Sequence, residues 1–394
     1  MADNLTKQTN GGAAGDARAY LGRGIELVKR KEVEAAEREF REALRLNPAN
    51  PLARCYLGIV LRRKGRFAEA EEELREAIRL DPVLHRAHLN LGLLLWGRGR
   101  LEEAELELRE AVRLYPALAT GHHDLGVVLR KLGKYEDAVQ AFRQALRLKP
   151  DNSWTHLELG VVLRKQAKYE EAEQAFREAL RLKPDLSRAS YQLGEMYESQ
   201  RRYPEAESEF REAVRLQPGL AAASHGLGRV LLLQGKASEA EREFRRPLQL
   251  KSGDPGLLLH LGKALAWQGK HGEAEKAFRE ALACRGPESE LLQSLGEALR
   301  RQGKHREAED LCFDLLRQSP EEASAHYDLA CCYAGQGKDV EALARLQAAL
   351  DRGFEDWPRM EKECDLEPLR PLPKFVYLEK KMRKSLEERD RGGV

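Results

Sequence analysis

A period of 34 residues runs through most of this 394-residue sequence and constrains its fold more than any other feature. The segment 159–184, LGVVLRKQAKYEEAEQAFREALRLKP, is nearly identical to the segment 125–150, LGVVLRKLGKYEDAVQAFRQALRLKP. A fixed period of this length is typical of arrays in which each repeat packs only on its neighbours. An array of this kind can exceed the roughly 250–300 residues at which a single hydrophobic core stops growing. A glycine keeps the same interval at Gly58, Gly92, Gly126, Gly160, Gly194, Gly228, Gly262 and Gly296.

Each period predicts two helices, as the repeat 153–186 illustrates. Apolar residues at helical spacing predict one helix near Trp154 and a second that begins near Tyr169. Pro184 ends the second helix, because proline cannot continue the hydrogen-bond ladder of a helix. Between the two helices most repeats carry a glycine, which adopts a left-handed conformation without strain. These turn glycines are Gly65, Gly99, Gly133, Gly235, Gly269, Gly303 and Gly337.

The repeat resembles the tetratricopeptide pattern W-x2-L-G-x2-Y, A-x3-F, P. Leu159 and Gly160 supply the L-G pair, Ala172 and Phe176 supply the A-x3-F, and Pro184 supplies the proline, whereas the tryptophan is replaced. The resemblance implies an all-α fold: a right-handed α-solenoid of about ten helix-turn-helix repeats and a C-terminal capping helix. The repeats are 17–50, 51–84, 85–118, 119–152, 153–186, 187–220, 221–254, 255–288, 289–322 and 323–356.

Two segments flank the repeats. Residues 1–16 are rich in Asn, Gly and Thr, and we expect a disordered lead-in. Residues 357–394 resemble the closing segment that follows many bacterial arrays of this family, and they end in a charge-rich tail. The apolar residues expected to cover the open end of the array are Leu366, Leu369, Phe375, Val376 and Leu378.

Repeat 7 departs from the pattern at two positions. Pro247 replaces an alanine inside the second helix, and Ser252 replaces the proline that follows it. Proline inside a helix costs about 3 kcal/mol and bends or ends the helix. We therefore predict that this helix is bent or shortened and that repeat 7 is the weakest joint of the array.

Composition narrows the classes of partner. Charged residues make up 34% of the chain, yet the net charge is only +2, so we predict no nucleic-acid partner. No apolar run approaches the ~18 residues of a membrane span, and the N-terminus lacks an apolar signal region. We therefore predict no membrane insertion and a cytoplasmic location. The six cysteines form no CxxC motif, which favours reduced packing residues over disulfides.

The sequence contains no motif that predicts catalysis. It has no GxSxG, Walker-type loop or HExxH. His88, His122 and His156 share one position in successive repeats, but neighbouring helices pack roughly 8–10 Å apart, whereas zinc ligands lie about 2.0–2.1 Å from the metal. We therefore interpret the three histidines as packing residues and predict no metal, no cofactor and no enzymatic activity.

The candidate binding site is the concave wall, which the first helices line in tetratricopeptide proteins. Counted from the start of each repeat, the twelfth and thirteenth places are often basic and the sixth is polar. Chaperone-binding members of the family clamp a carboxylate with a lysine at the fifth place, and this lysine is missing here. A solvated helix face is the alternative interpretation of the basic positions. The candidate residues are Arg62, Arg63, Asn90, Asp124, Arg130, Lys131, Glu158, Arg164, Lys165 and Gln192.

Two functional hypotheses follow from the resemblance. The first is a non-catalytic scaffold that binds a peptide or helix of a partner protein in the groove, with an acidic segment favoured by the basic row. The second is a regulatory or targeting subunit of an enzyme or assembly complex, such as one for envelope or pilus assembly or for glycosylation. The sequence predicts neither the partner nor the oligomeric state.

Overall fold

A computed structural model describes the backbone of residues 2–250 and 253–392, and the side chains of residues 15–249 and 253–383. Within these residues every regular element is a helix, which confirms the predicted all-α repeat fold. The chain divides into two compact bodies, Met1–Met196 and Tyr197–Val394.

The helices alternate between first and second members of successive repeats. The first helices are α1 (Ala2–Lys29), α3 (Pro51–Arg63), α5 (His85–Gly97), α7 (Ala119–Lys131), α9 (Ser153–Lys165), α11 (Ser187–Ser199), α13 (Ala221–Leu233), α15 (Pro255–Trp267), α17 (Ser289–Arg300) and α19 (Ala323–Gly335). The second helices are α2 (Val33–Leu46), α4 (Phe67–Leu80), α6 (Leu101–Leu114), α8 (Tyr135–Leu148), α10 (Tyr169–Leu182), α12 (Tyr203–Leu216), α14 (Ala237–Leu250), α16 (His271–Arg285), α18 (His305–Gln318) and α20 (Asp339–Asp351).

The chain ends in α21 (Trp357–Lys362), a 3₁₀ helix (Cys364–Leu369) and α22 (Pro373–Gly392). At the other end, α1 begins at Ala2, and the disordered lead-in expected for residues 1–16 stays a prediction. Further along α1 the helix is packed, since Ala17 is buried.

Close contact between the two helices of a repeat explains the recurring glycine. In repeat 5 a Cβ atom added to Gly160 would lie 2.6 Å from the ring of Phe176, and the same distance separates Gly126 from Phe142 in repeat 4. Both phenylalanines are fully buried. Because real Cβ atoms essentially never approach so closely, a larger residue at either position would force the ring or a helix to shift.

First helices of successive repeats also touch one another. In the N-terminal body α3 contacts α5, α5 contacts α7 and α7 contacts α9, and in the C-terminal body α13, α15, α17 and α19 form the same succession. Side chains at equivalent places of neighbouring first helices are therefore adjacent, and this arrangement builds the candidate site.

Three turns contain a residue other than glycine in the left-handed conformation. Most turn glycines have positive φ, for example 77° at Gly65. Lys31, Ala167 and Arg201 occupy the same place in repeats 1, 5 and 6, with φ of 64°, 58° and 59°. The helix-turn-helix geometry is therefore retained at these positions although a Cβ disfavours it.

Repeat 7 keeps its second helix at full length. The helix α14 contains 14 residues, as α10 does, and Pro247 lies inside it and is buried. The prediction that Pro247 shortens the helix is wrong, because this proline is close to the C-terminal end and removes one N–H from an otherwise continuous helix. Ser252 lies outside the described residues.

The closing segment packs onto the last repeat. Leu366, Leu369, Phe375 and Leu378 are buried in one apolar cluster together with Tyr327 of α19, and Val376 is half-buried. The side chains of the charged tail from residue 384 onward lie outside the described residues.

Candidate partner-binding surface

Basic residues end three first helices of the N-terminal body. In α3, α7 and α9 the last turn contains Arg62–Arg63, Arg130–Lys131 and Arg164–Lys165. Positive charge at this end is favourable because the C-terminus of a helix carries a partial negative charge. Arg62, Arg130 and Arg164 are half-buried, whereas the three residues that follow them are exposed.

Two of these arginines meet the sixth place of the next repeat. Arg130 Nε lies 2.9 Å from Glu158 Oε2, an ion pair without hydrogen-bond alignment, and Glu158 is buried. Arg164 Nη2 donates to Gln192 Oε1 at 3.0 Å. Two cations of the predicted row are therefore held by polar side chains of the following first helix.

Repeat 3 interrupts this pairing. Its twelfth residue is Trp96, so Asp124 at the next sixth place receives no arginine from the preceding repeat. Burial raises the pKa of Asp124 to about 6, and the charge of Arg62 partly opposes that rise.

Asn90 donates to Arg86 O in its own helix at 2.8 Å. Burial also lowers the pKa of Arg62, whose Nε is buried and has no hydrogen-bond acceptor among the described residues.

The repeated histidines bond within their own linkers. His88, His122 and His156 each place Nε2 2.8–3.1 Å from the carbonyl oxygen of the proline six residues earlier. Through this contact each ring connects the start of a first helix to the linker that follows the preceding second helix. These contacts give each histidine a packing role of the kind predicted from the sequence.

A network between repeats was not predicted from the sequence. On the second helices glutamates pair with arginines four residues later, as in Glu71 with Arg75 at 2.9 Å. The same glutamate also pairs with Arg100 of the next repeat at 2.8 Å. One cationic partner in the next repeat directly follows the turn glycine, and Glu37 also pairs with Lys64. The glutamates that pair with the next repeat in this way within one body are Glu37, Glu71, Glu105, Glu207, Glu241, Glu275 and Glu309, the last without an i,i+4 arginine.

The closing segment binds the twelfth and thirteenth places of repeat 9. Arg300 Nη1 lies 2.5 Å from Asp365 Oδ2 and 3.3 Å from Glu363, and Arg301 Nη2 lies 3.3 Å from Glu363. Arg300 is 2% exposed. Although burial opposes it, the charges of Arg300 and Arg301 lower the pKa of Glu363. The acidic pair in the closing segment was the one signal in the sequence that could have revealed this contact.

The same acidic cluster is engaged with arginine rather than shaped for a metal ion. Glu363, Cys364 and Asp365 bring their ligand atoms within 4.8 Å of one another. Both carboxylates, however, pair with Arg300.

Protein-family models match the repeats of this chain. The tetratricopeptide repeat model matches more than half of the chain, at residues 21–84, 57–119, 123–187, 157–221 and 191–255. The chain belongs to the tetratricopeptide repeat family. Two further tetratricopeptide models match residues 256–286 and 299–362. The family is generally non-catalytic, and its fold generally supports protein–protein interaction.

One solved structure agrees with the fold, and two further proteins are similar to parts of this chain. The chain is 16% identical to the C-terminal part of a repeat protein from Cytophaga hutchinsonii, with a TM-score of 0.51 over 61% of this chain and 99% of that one. Pseudomonas aeruginosa pilF is 27% identical, with a TM-score of 0.49 over 54% and 96%. A chloroplastic protein of Arabidopsis thaliana is 40% identical over 70 residues, or 18% of this chain. The chain spans 21% of the length of that curated relative.

Among the described residues, no helix combines the length and apolar character needed to span a membrane.

Proposed function

We propose that this chain is a non-catalytic scaffold whose N-terminal body binds an acidic segment of a partner protein along the basic ends of α3, α7 and α9. The surface offers six cations, Arg62, Arg63, Arg130, Lys131, Arg164 and Lys165, beside two carboxylates, Asp124 and Glu158. A cytoplasmic location remains the prediction made from the sequence.

The contact of Arg300 with the closing segment carries this proposal. Arg300 occupies the twelfth place of repeat 9, as Arg62, Arg130 and Arg164 do in repeats 2, 4 and 5. In repeat 9 this arginine accommodates two carboxylates separated by one residue, Glu363 and Asp365. The chain itself thus provides an example of an acidic segment bound at this place of a first helix.

The chemistry of the surface favours carboxylate or phosphate groups. Arginine presents a planar group of donors that can grip such anions through two parallel hydrogen bonds. Glu158 and Gln192 hold Arg130 and Arg164 at one edge, which fixes the guanidinium groups before a partner arrives. A fixed donor loses less conformational entropy on binding than a free side chain does.

A double charge reversal tests the proposal. The probe is a fluorescein-labelled peptide with the sequence of residues 361–372, EKECDLEPLRPL, measured by anisotropy against the full chain. Arg130→Glu with Arg164→Glu should weaken binding about tenfold or more, since one charge-assisted hydrogen bond contributes about 1.5–3 kcal/mol. Affinity should also fall from 0.1 M to 1 M salt as the Debye length shrinks from about 10 to 3 Å.

The matched control reverses two arginines on second helices. Arg143 pairs with Glu171 and Arg177 pairs with Glu173, both at 2.6 Å, so Arg143→Glu with Arg177→Glu also breaks two polar contacts. This variant should change the affinity less than twofold, and circular dichroism should show equal helicity in both variants. Equal weakening by the two variants, or binding that is insensitive to salt, would show that the basic row is only a solvated surface.

A further inference from the structure

In repeats 7 and 8, both in the C-terminal body, the thirteenth place is apolar rather than basic. It is occupied by Leu233 at the end of α13 and by Trp267 at the end of α15. These side chains are 56% and 66% exposed. Because α13 and α15 contact each other, two large apolar side chains stand next to each other at equivalent places of neighbouring first helices.

A cleft lies beside these two residues. Its volume is about 370 Å³, and Leu232, Leu233, His260 and Trp267 form its apolar part. This volume is near the lower end of the roughly 300–1,000 Å³ found for ligand pockets, which suits one bulky side chain better than a cofactor.

The polar edge of the cleft contains two cations, each paired with a carboxylate. Lys263 Nζ bonds to Glu290 at 2.5 Å, and Arg229 bonds to Glu198 at 2.8 Å. Glu290 is 65% exposed. Exposed ion pairs contribute only about 0–1 kcal/mol, so an incoming carboxylate can replace Glu290 on Lys263 at little cost.

The cleft lies near the contact between Arg301 and the closing segment. A second cleft of about 410 Å³ is also lined by Lys263 and Trp267, together with Glu297 and Arg301. Arg301 is the residue that pairs with Glu363 of the closing segment. A segment bound at Leu233 and Trp267 would therefore lie next to the closing segment, in which carboxylates at 363 and 365 precede the buried Leu366.

We propose that Leu233 and Trp267 form a docking site for a partner segment that carries a bulky apolar side chain next to a carboxylate. The apolar side chain enters the cleft between Leu233 and Trp267, and the carboxylate bonds to Lys263 in place of Glu290. The site is separate from the basic surface of the N-terminal body and does not depend on its function.

Peptide phage display on the full chain tests this proposal. Peptides enriched on the wild-type chain are synthesised and measured against a chain with Leu233→Ser and Trp267→Ser. We expect a class of peptides with a Leu, Phe or Trp within three residues of an Asp or Glu, and we expect the double substitution to weaken these at least tenfold. Lys263→Glu should weaken the same peptides, whereas Arg130→Glu with Arg164→Glu should leave them unchanged.

The control removes two apolar side chains that are equally exposed but stand alone on second helices. Leu106 of α6 and Val340 of α20 are 69% and 78% exposed, and Leu106→Ser with Val340→Ser should not change the affinity of these peptides. The proposal is overturned if no enriched peptide depends on Leu233 and Trp267, or if the dependent peptides lack the acidic residue. It is also overturned if the double substitution changes the sedimentation of the chain alone, since the face would then join two copies.

Discussion

Glu275 shows how strongly one residue can be held between repeats. Its carboxylate accepts hydrogen bonds from Lys304 at 2.7 Å, from Gln302 at 3.0 Å and from Arg279 at 2.9 Å. Hydrogen bonds from these donors lower the pKa of Glu275 to about 2, and the bond from Lys304 has the largest effect. Because the folded pKa lies below the ordinary value of 4.5, the contribution to stability is present above pH 4.5 and is lost as the pH falls toward 2.

Replacing this carboxylate should therefore weaken the C-terminal body in a pH-dependent way. Glu275→Gln is expected to lower the free energy of unfolding by about 1–2 kcal/mol at pH 7, after allowance for solvent screening. The difference from wild type should shrink between pH 4.5 and pH 2. Urea unfolding at several pH values measures it, with Glu307→Gln as control, since exposed Glu307 pairs with Arg279 at 2.8 Å.

A difference that stays constant over this pH range would contradict the assignment, because a purely steric effect of the amide does not titrate. Equal destabilisation by Glu307→Gln would contradict it as well, since that side chain does not bond to the next repeat's turn in the way Glu275 does.

At the scale of the elements, the turn between α9 and α10 is strained. Ala167 has φ of 58°, a conformation that costs an L-residue about 1–2 kcal/mol and costs glycine little. Ala167→Gly also makes the unfolded chain more flexible, which costs about 0.4–1 kcal/mol. We expect a net stabilisation of about 0.5–1 kcal/mol in urea unfolding. Gly133→Ala at the same place in repeat 4, where φ is 75°, should destabilise by more than that.

The element α14 is continuous but lacks one hydrogen bond at Pro247. We predict faster hydrogen exchange in residues 244–256 than in the matching residues 176–188. Pro247→Ala restores an N–H donor to the helix and should slow exchange in the first segment about tenfold or more, since a proline inside a helix costs about 3 kcal/mol. Residues 176–188 of the same variant serve as the reference. Equal protection of the two segments in the wild-type chain would show that repeat 7 is not a weak joint.

Across the whole molecule, local and periodic features were predictable and contacts between distant segments were not. Gly160 and Phe176 recur in phase, so the close packing of two helices follows from the sequence. The partners of Glu275 lie four, 27 and 29 residues away, and only the nearest one follows a helical spacing.

The contact between Arg300 and the closing segment could not be predicted from the sequence for the same reason. It joins residues 65 positions apart, and no period relates Asp365 to the repeats. Of the candidate residues, the sequence predicted which side chains share one face. It did not predict that Glu158 and Gln192 hold Arg130 and Arg164.

The glutamates that bond to the next repeat have a consequence for cooperativity. In the N-terminal body they connect repeats 1 to 4 through Glu37, Glu71 and Glu105, but the equivalent residue of repeat 4 is the buried Val139. The Arg130–Glu158 and Arg143–Glu171 pairs remain between repeats 4 and 5, but this glutamate contact is missing there. Because the stability of a repeat array is approximately a sum of repeat and nearest-neighbour terms, partial unfolding of the N-terminal body should begin between repeats 4 and 5. Arg130 and Arg164 lie on opposite sides of that boundary. A partner that bound both arginines would stabilise the contact between repeats 4 and 5. The N-terminal body would then unfold in one step rather than two.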